Sequence, residues 1–248
     1  MNFGDLLNTE NIILGSFWNL KTVVNGYGSL EGNVLVTQVS SDRNFQILHL
    51  PNIDINSSVQ SLRMMVRLLE DGYKCWLTID DVIQKASRID SWSPTLLTTE
   101  EILRRIPKVL LWLKESSKIP NNYLWGGTIG PDFDCSGLVQ AAFSSQQIWL
   151  PRDAYQQEAF CKEVKIDIMN PDLLRPGDLC FFGTHEKSTH VGIHLSGGEY
   201  IHSSGISHGL NGIGFSSLYE NDSISSYYRS IFRSIGRVVC CHDGQTLP

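Results

Sequence analysis

The hydrophobic pattern of the chain switches period near residue 95, a change that neither one sheet nor one helical bundle accommodates. Before it, β-like runs at residues 33–39, 45–50, 62–69 and 73–77 are separated by Ser41-Asp42, Pro51-Asn52 and Asp71-Gly72. Such spacing predicts a small barrel or sandwich. From Thr98 the pattern is helical: Thr98 and Glu101 have the spacing of a capping box, and Ile102, Ile106, Leu110 and Leu113 follow. Pro107 interrupts this stretch, so a kink or a fresh helix start is expected there. A second helix is expected over about 135–147, with Asp134 as its cap and Leu138, Val139, Ala142 and Phe143 as its apolar stripe. Strands are expected at 179–182, 190–195, 199–202 and 236–241, the middle two joined by a hairpin at Ser196-Gly197-Gly198. The fold class is therefore α+β, with domains at 1–95 and 96–248.

A net charge of −6 with no run of Lys or Arg speaks against a nucleic-acid partner. Asp5, Asn8, Glu10 and Asn11 break up any export signal, and no apolar run is long enough to span a membrane. Six cysteines without CxxC pairs suit free thiols in a reducing cytoplasm, the expected location. Adjacent Cys240 and Cys241 are read as strand residues facing opposite sides.

Asp134-Cys135-Ser136-Gly137 places a thiol where a loop becomes a helix. Unpaired N–H groups and the helix dipole there lower a thiol pKa and favour the thiolate. Gly137 leaves room for another element or for substrate. A buried structural cysteine is the competing reading. A nucleophilic cysteine needs a base, and a three-residue turn pairs Leu195 with Glu199 and Gly192 with His202. His190 and His202 are then diagonal neighbours on one face, with Gly192 leaving space between them. A two-residue loop would put them on opposite faces. Ordinary polar strand residues are the bland alternative. A metal site from Cys135, His190, His194 and His202 fails on distance, because four strand residues separate His190 from His194 by about 13 Å. No metal or organic cofactor is expected.

From about residue 120 to 241 the chain resembles the NlpC family of papain-like cell-wall cysteine peptidases. The resemblance rests on Tyr123-Leu124-Trp125-Gly126-Gly127, Asp134-Cys135-Ser136-Gly137-Leu138, Leu150-Pro151-Arg152-Asp153, Arg175-Pro176-Gly177-Asp178-Leu179, His190-Val191-Gly192-Ile193 and Tyr200-Ile201-His202. It implies that Cys135 is the nucleophile, His190 the base and His202 its orienting partner, on a helix packed against an antiparallel sheet. The first half, through Asp71-Gly72-Tyr73 and Trp76-Leu77, resembles a bacterial SH3-like barrel. Together these resemble a subgroup cutting between γ-D-glutamate and a diamino acid, usually meso-diaminopimelate, in peptidoglycan-derived peptides such as L-Ala-γ-D-Glu-diaminopimelate. The resemblance implies that Tyr73 meets the substrate and that Asp134 and Ser136 hold a free N-terminal amine. A blocked alanine would then leave Asp134 uncompensated. Arg152 and Asp153 are expected to line the cleft or form an ion pair, and Trp125 to wall the site or pack under the helix. Cys75 stands where the subgroup tends to have a small residue, and the stretch before residue 30 has no counterpart. An amidase or acyltransferase on the same scaffold, or a non-catalytic wall-binding module, are the rival functions.

Overall fold

The computed structural model describes residues 6–51, 62–165 and 173–245; the turn expected at Asn52 lies outside them. The described chain forms two units, one of residues 6–95 with 243–245 and one of residues 96–242.

The first unit holds seven strands and a short helix: β1 (Phe17–Leu20), β2 (Val24–Tyr27), β3 (Leu35–Val39), β4 (Asn44–His49), β5 (Arg63–Leu68), β6 (Lys74–Thr78), α1 (Ile79–Val82) and β7 (Ala86–Ile89). They make an antiparallel sheet in the order β3-β2-β6-β5-β4-β1-β7. Val39 on β3 and Ala86 on β7, at opposite ends of that order, share one core with Trp18, Phe45 and Leu77, so the sheet curls on itself. β1 and β2 fall in the stretch that the sequence left unplaced. Arg43, buried, pairs with Glu70 at 3.0 Å and Asp71 at 2.9 Å, which anchors the Asp71-Gly72-Tyr73 turn.

In the second unit α2 (Thr99–Ser116), α3 (Cys135–Ser144) and α4 (Ala154–Phe160) precede β8 (Lys162–Glu163), β9 (Leu179–Gly183), β10 (Ser188–Ser196), β11 (Glu199–Ser204) and β12 (Gly212–Ser217). α5 (Ser223–Ser230) and β13 (Phe232–Arg237) complete it. The sheet order is β12-β11-β10-β9-β13-β8, antiparallel throughout. One face buries Leu179, Phe181, Val191, Ile193 and Ile201 in a core with Leu138, Val139 and Phe143 of α3 and Ile102, Val109 and Leu113 of α2. The other face buries Cys180, Phe182, Tyr200 and Ile235 with Tyr228 of α5.

α2 and the last strand were expected in another form. α2 has the predicted Thr98–Glu101 capping box and no fresh start at Pro107, which lies inside the helix, because its stripe Ile102, Ile106, Val109 and Leu113 is buried along its whole length. The last strand lies at Phe232–Arg237, several residues early, and Cys240 and Cys241 follow it, the first exposed and the second buried. Among the described residues no helix is long and apolar enough to cross a membrane.

Candidate active site

Cys135 is the first residue of α3, and the Asp134 side chain caps the helix by accepting the Gly137 N–H at 2.7 Å. The sulfur sits against β10: the thiol approaches the Thr189 carbonyl at 4.0 Å, and the Val191 N–H points back to it. Thr189 and Val191, the two chain neighbours of His190, thus both face the sulfur. Gly137 is needed for a packing reason, since a Cβ there would stand 2.0 Å from the Gly127 carbonyl oxygen. The close approach is by another segment of chain, not by substrate.

His190 Nε2 lies 2.7 Å from His202 Nδ1, and His202 Nε2 lies 3.1 Å from Ser216 Oγ on β12. Both rings are buried, His202 completely. For His190 Nδ1 to accept the thiol proton, Nε2 must carry hydrogen and donate to His202 Nδ1; His202 Nε2–H then donates to Ser216. In that tautomer the donors point one way, from His190 to Ser216. The register that aligns the two rings arises differently from expectation. The turn has two residues, Gly197 and Gly198, both with positive φ, and a bulge at Leu195 restores the pairing of Ile193 with Ile201 and His194 with Tyr200. The space at Gly192 is filled chiefly by the Tyr200 ring, 2.7 Å from where a Cβ would stand. His194 leaves the cluster, bonding the Arg175 carbonyl at 3.0 Å and the Gly198 N–H at 3.3 Å.

Burial overrides the helix dipole in setting protonation. It pushes the Cys135 thiol up to about 12, with Asp134 adding to the effect and the Val191 and Ser136 N–H groups opposing it. Burial, then His202 and the rim residue His208, hold His190 well below the usual imidazole range. Burial alone lowers His202 to about 3. Both shifts favour the neutral forms, a thiol at Cys135 and an imidazole at His190, rather than the thiolate the sequence suggested.

Residues 120–234, which span Cys135, His190 and His202, match the NlpC/P60 family. This segment is an NlpC/P60 domain. Over 84 residues the chain is 40% identical to the gamma-D-glutamyl-L-lysine dipeptidyl-peptidase of Bacillus subtilis (strain 168), an alignment covering 33% of this chain and 27% of that protein. Over 83 residues it is 36% identical to the murein DD-endopeptidase MepS/murein LD-carboxypeptidase of Escherichia coli (strain K12), covering 33% of this chain and 42% of that protein. The chain thus spans less than half the length of either relative. Among solved structures, NlpC1 from Trichomonas vaginalis aligns with a TM-score of 0.47 at 16% identity, covering 97% of this chain and 98% of that one.

Within the NlpC/P60 domain, the other expected site residues divide. Asp134 does not stand alone beside the nucleophile. Arg152 grips it through Nη1 at 3.1 Å and Nη2 at 2.5 Å, and Gly126 donates its N–H at 2.9 Å. Arg152 also donates to Ser136 Oγ at 2.9 Å, and all three side chains are buried. Asp134 is therefore compensated with or without a ligand amine, which removes the charge argument for selecting free peptides. Asp153 starts α4, where the Gln156 side chain accepts its backbone N–H at 3.2 Å. Trp125 is 66% exposed, so it does not pack under α3. Tyr73 belongs to the other unit, packed half-buried against that unit's core.

Three aromatic residues and a serine at the site carried no assigned role. Tyr228 stacks on His190 with centroids 4.3 Å apart, meets His202 edge-on at 4.9 Å and bonds Ser204 Oγ at 2.6 Å. His208 stacks on Tyr227 at 4.7 Å beside it. Tyr123 is kept protonated by burial and then by the nearby Cys135, leaving its hydroxyl a donor. Only Tyr123, inside a motif already singled out, had a usable signal; Ser216, Tyr228 and His208 come from segments without one.

Proposed function

We propose that the chain is a cysteine peptidase hydrolysing the bond between γ-D-glutamate and a diamino acid in peptidoglycan stem peptides. The observation that carries this is the buried His190–His202–Ser216 chain on strands beside the Cys135 helix start, inside a domain whose relatives include a gamma-D-glutamyl-L-lysine dipeptidyl-peptidase. Cys135 transfers its proton to His190 as the sulfur attacks the γ-carbonyl, so the pair stays neutral overall while the charges separate. His202 accepts from His190 Nε2–H and steadies the imidazolium. The Cys135 N–H, which as the first helical residue has no acceptor within its own helix, and the Tyr123 hydroxyl are the proposed oxyanion donors. His190 then protonates the leaving amine and activates water to release the thioester. No step requires a metal or organic cofactor.

A free N-terminal L-Ala and a diaminopimelate leaving group are the finer parts of the proposal, set in recycling of wall peptides within the cytoplasm. The dipeptidyl-peptidase name of the Bacillus relative supports the first; the Asp134–Arg152 pair does not. The test is product analysis by mass spectrometry with L-Ala-γ-D-Glu-diaminopimelate, its N-acetylated form and intact sacculi. Release of L-Ala-γ-D-Glu from the free tripeptide alone is expected. Equal turnover of the acetylated peptide removes the free-amine requirement, and binding to sacculi without cleavage of any substrate removes the peptidase.

A further inference from the structure

Beyond the catalytic residues, the domain has a cleft of about 460 Å³ at the β9–β10 turn, walled by Glu158, Thr184, His185, Ser230, Phe232 and Arg233. Strand register places it close to the base. Phe182, which pairs with His190 on one side and Phe232 on the other, precedes the cleft residue Gly183. Ser188, two residues before His190, donates its hydroxyl to Glu158 at 2.6 Å. Along the strand, Ser188, whose hydroxyl meets the cleft residue Glu158, and His190 are two residues or roughly 7 Å apart.

The polar groups in the cleft specify one kind of ligand. Glu158 is already saturated: its oxygens accept the Ser188 and Ser234 hydroxyls, at 2.6 and 2.5 Å, and Arg233 Nε at 3.2 Å to each. It has little left to offer an ammonium. Arg233 is held by Glu158 and, through Nη1, by the Thr184 carbonyl, while Nη2 has no hydrogen-bond partner among the described residues. Its side chain is 22% exposed, so a fixed guanidinium edge is presented at the cleft. The His185 ring on the same wall is also without a hydrogen bond among the described residues. The open Nη2 edge of Arg233, beside a Glu158 that is already saturated, suits a carboxylate, to which a guanidinium donates charge-assisted hydrogen bonds.

We propose that this cleft takes the carboxylate at the far end of the diamino acid side chain, with Arg233 as its anchor. The proposal rests on the γ-D-glutamyl reading above and assigns that site a preference for diaminopimelate over lysine, which lacks this carboxylate. It is tested by kinetics of the whole chain on L-Ala-γ-D-Glu-meso-diaminopimelate and L-Ala-γ-D-Glu-L-Lys. The unaltered protein should have the higher kcat/KM on the diaminopimelate peptide. Arg233→Gln should lose roughly 10-fold or more on that peptide, mainly through KM, and less than about 2-fold on the lysine peptide. Arg233→Lys, which keeps the charge, should retain part of the preference. Activity on the lysine peptide doubles as the check that each variant is folded. Equal losses on both peptides, or none on either, overturn the assignment while leaving the γ-D-glutamyl reading intact. An unaltered protein that cleaves neither peptide overturns both.

Discussion

His190 is fixed from two directions, by His202 in the plane of its ring and by Tyr228 against its face. The proposed role of His190 as general base depends on orientation, which makes Tyr228 its proposed positioning residue. An aromatic pair of this kind contributes about 0.5–1.5 kcal/mol. Tyr228→Leu should therefore lower kcat by roughly 3- to 10-fold with little change in KM. Tyr228→Phe, which keeps the stack and loses only the Ser204 bond, should recover most of that rate. A KM effect of equal size in both variants would place Tyr228 in substrate binding instead. The histidine pair itself was legible because strand alternation puts diagonal neighbours on one face. Tyr228 was not, because nothing local in residues 223–230 says that their helix will cover that face. Asp134 shows the opposite limit: its cap role follows from local sequence, but its Arg152 partner comes from 18 residues away.

At the level of elements, the sequence located α2, α3 and most strands, but not α1, α4 or α5, nor the forces that decide marginal cases. The hairpin reached the expected register through a bulge at Leu195, since two glycines with positive φ form a tighter turn than the three residues assumed. β1, β2 and β12 are short or glycine-bearing and lack a strong alternating signal. α2 continues through Pro107 because burial of its apolar stripe outweighs one lost backbone bond. That loss remains a standing cost. Pro107→Ala should restore the bond to Leu103 and raise the unfolding free energy by about 1–3 kcal/mol, read from urea denaturation. An unchanged or lower value would mean that the helix must bend at Pro107 to reach its core.

Across the whole molecule, the buried histidines couple the site to acid stability. His202 is lowered to about 3 in the fold and takes its proton near the ordinary 6.5 when unfolded. Stability is therefore fully present above about pH 6.5 and is lost as pH falls toward 3, where only the unfolded chain is protonated. Denaturant midpoints should drop between about pH 7 and pH 4.5, and less steeply in His202→Gln, which has no such proton to gain. A slope unchanged by that substitution would assign the acid sensitivity to other groups. The central claim, that Cys135 forms a thioester with the γ-carboxyl of D-glutamate, is tested most directly by acid-quenching a reaction with L-Ala-γ-D-Glu-diaminopimelate and mapping adducts by mass spectrometry. The account predicts an L-Ala-γ-D-glutamyl group on the peptide containing Cys135, and neither adduct nor turnover in Cys135→Ala. Turnover that persists in Cys135→Ala would contradict it.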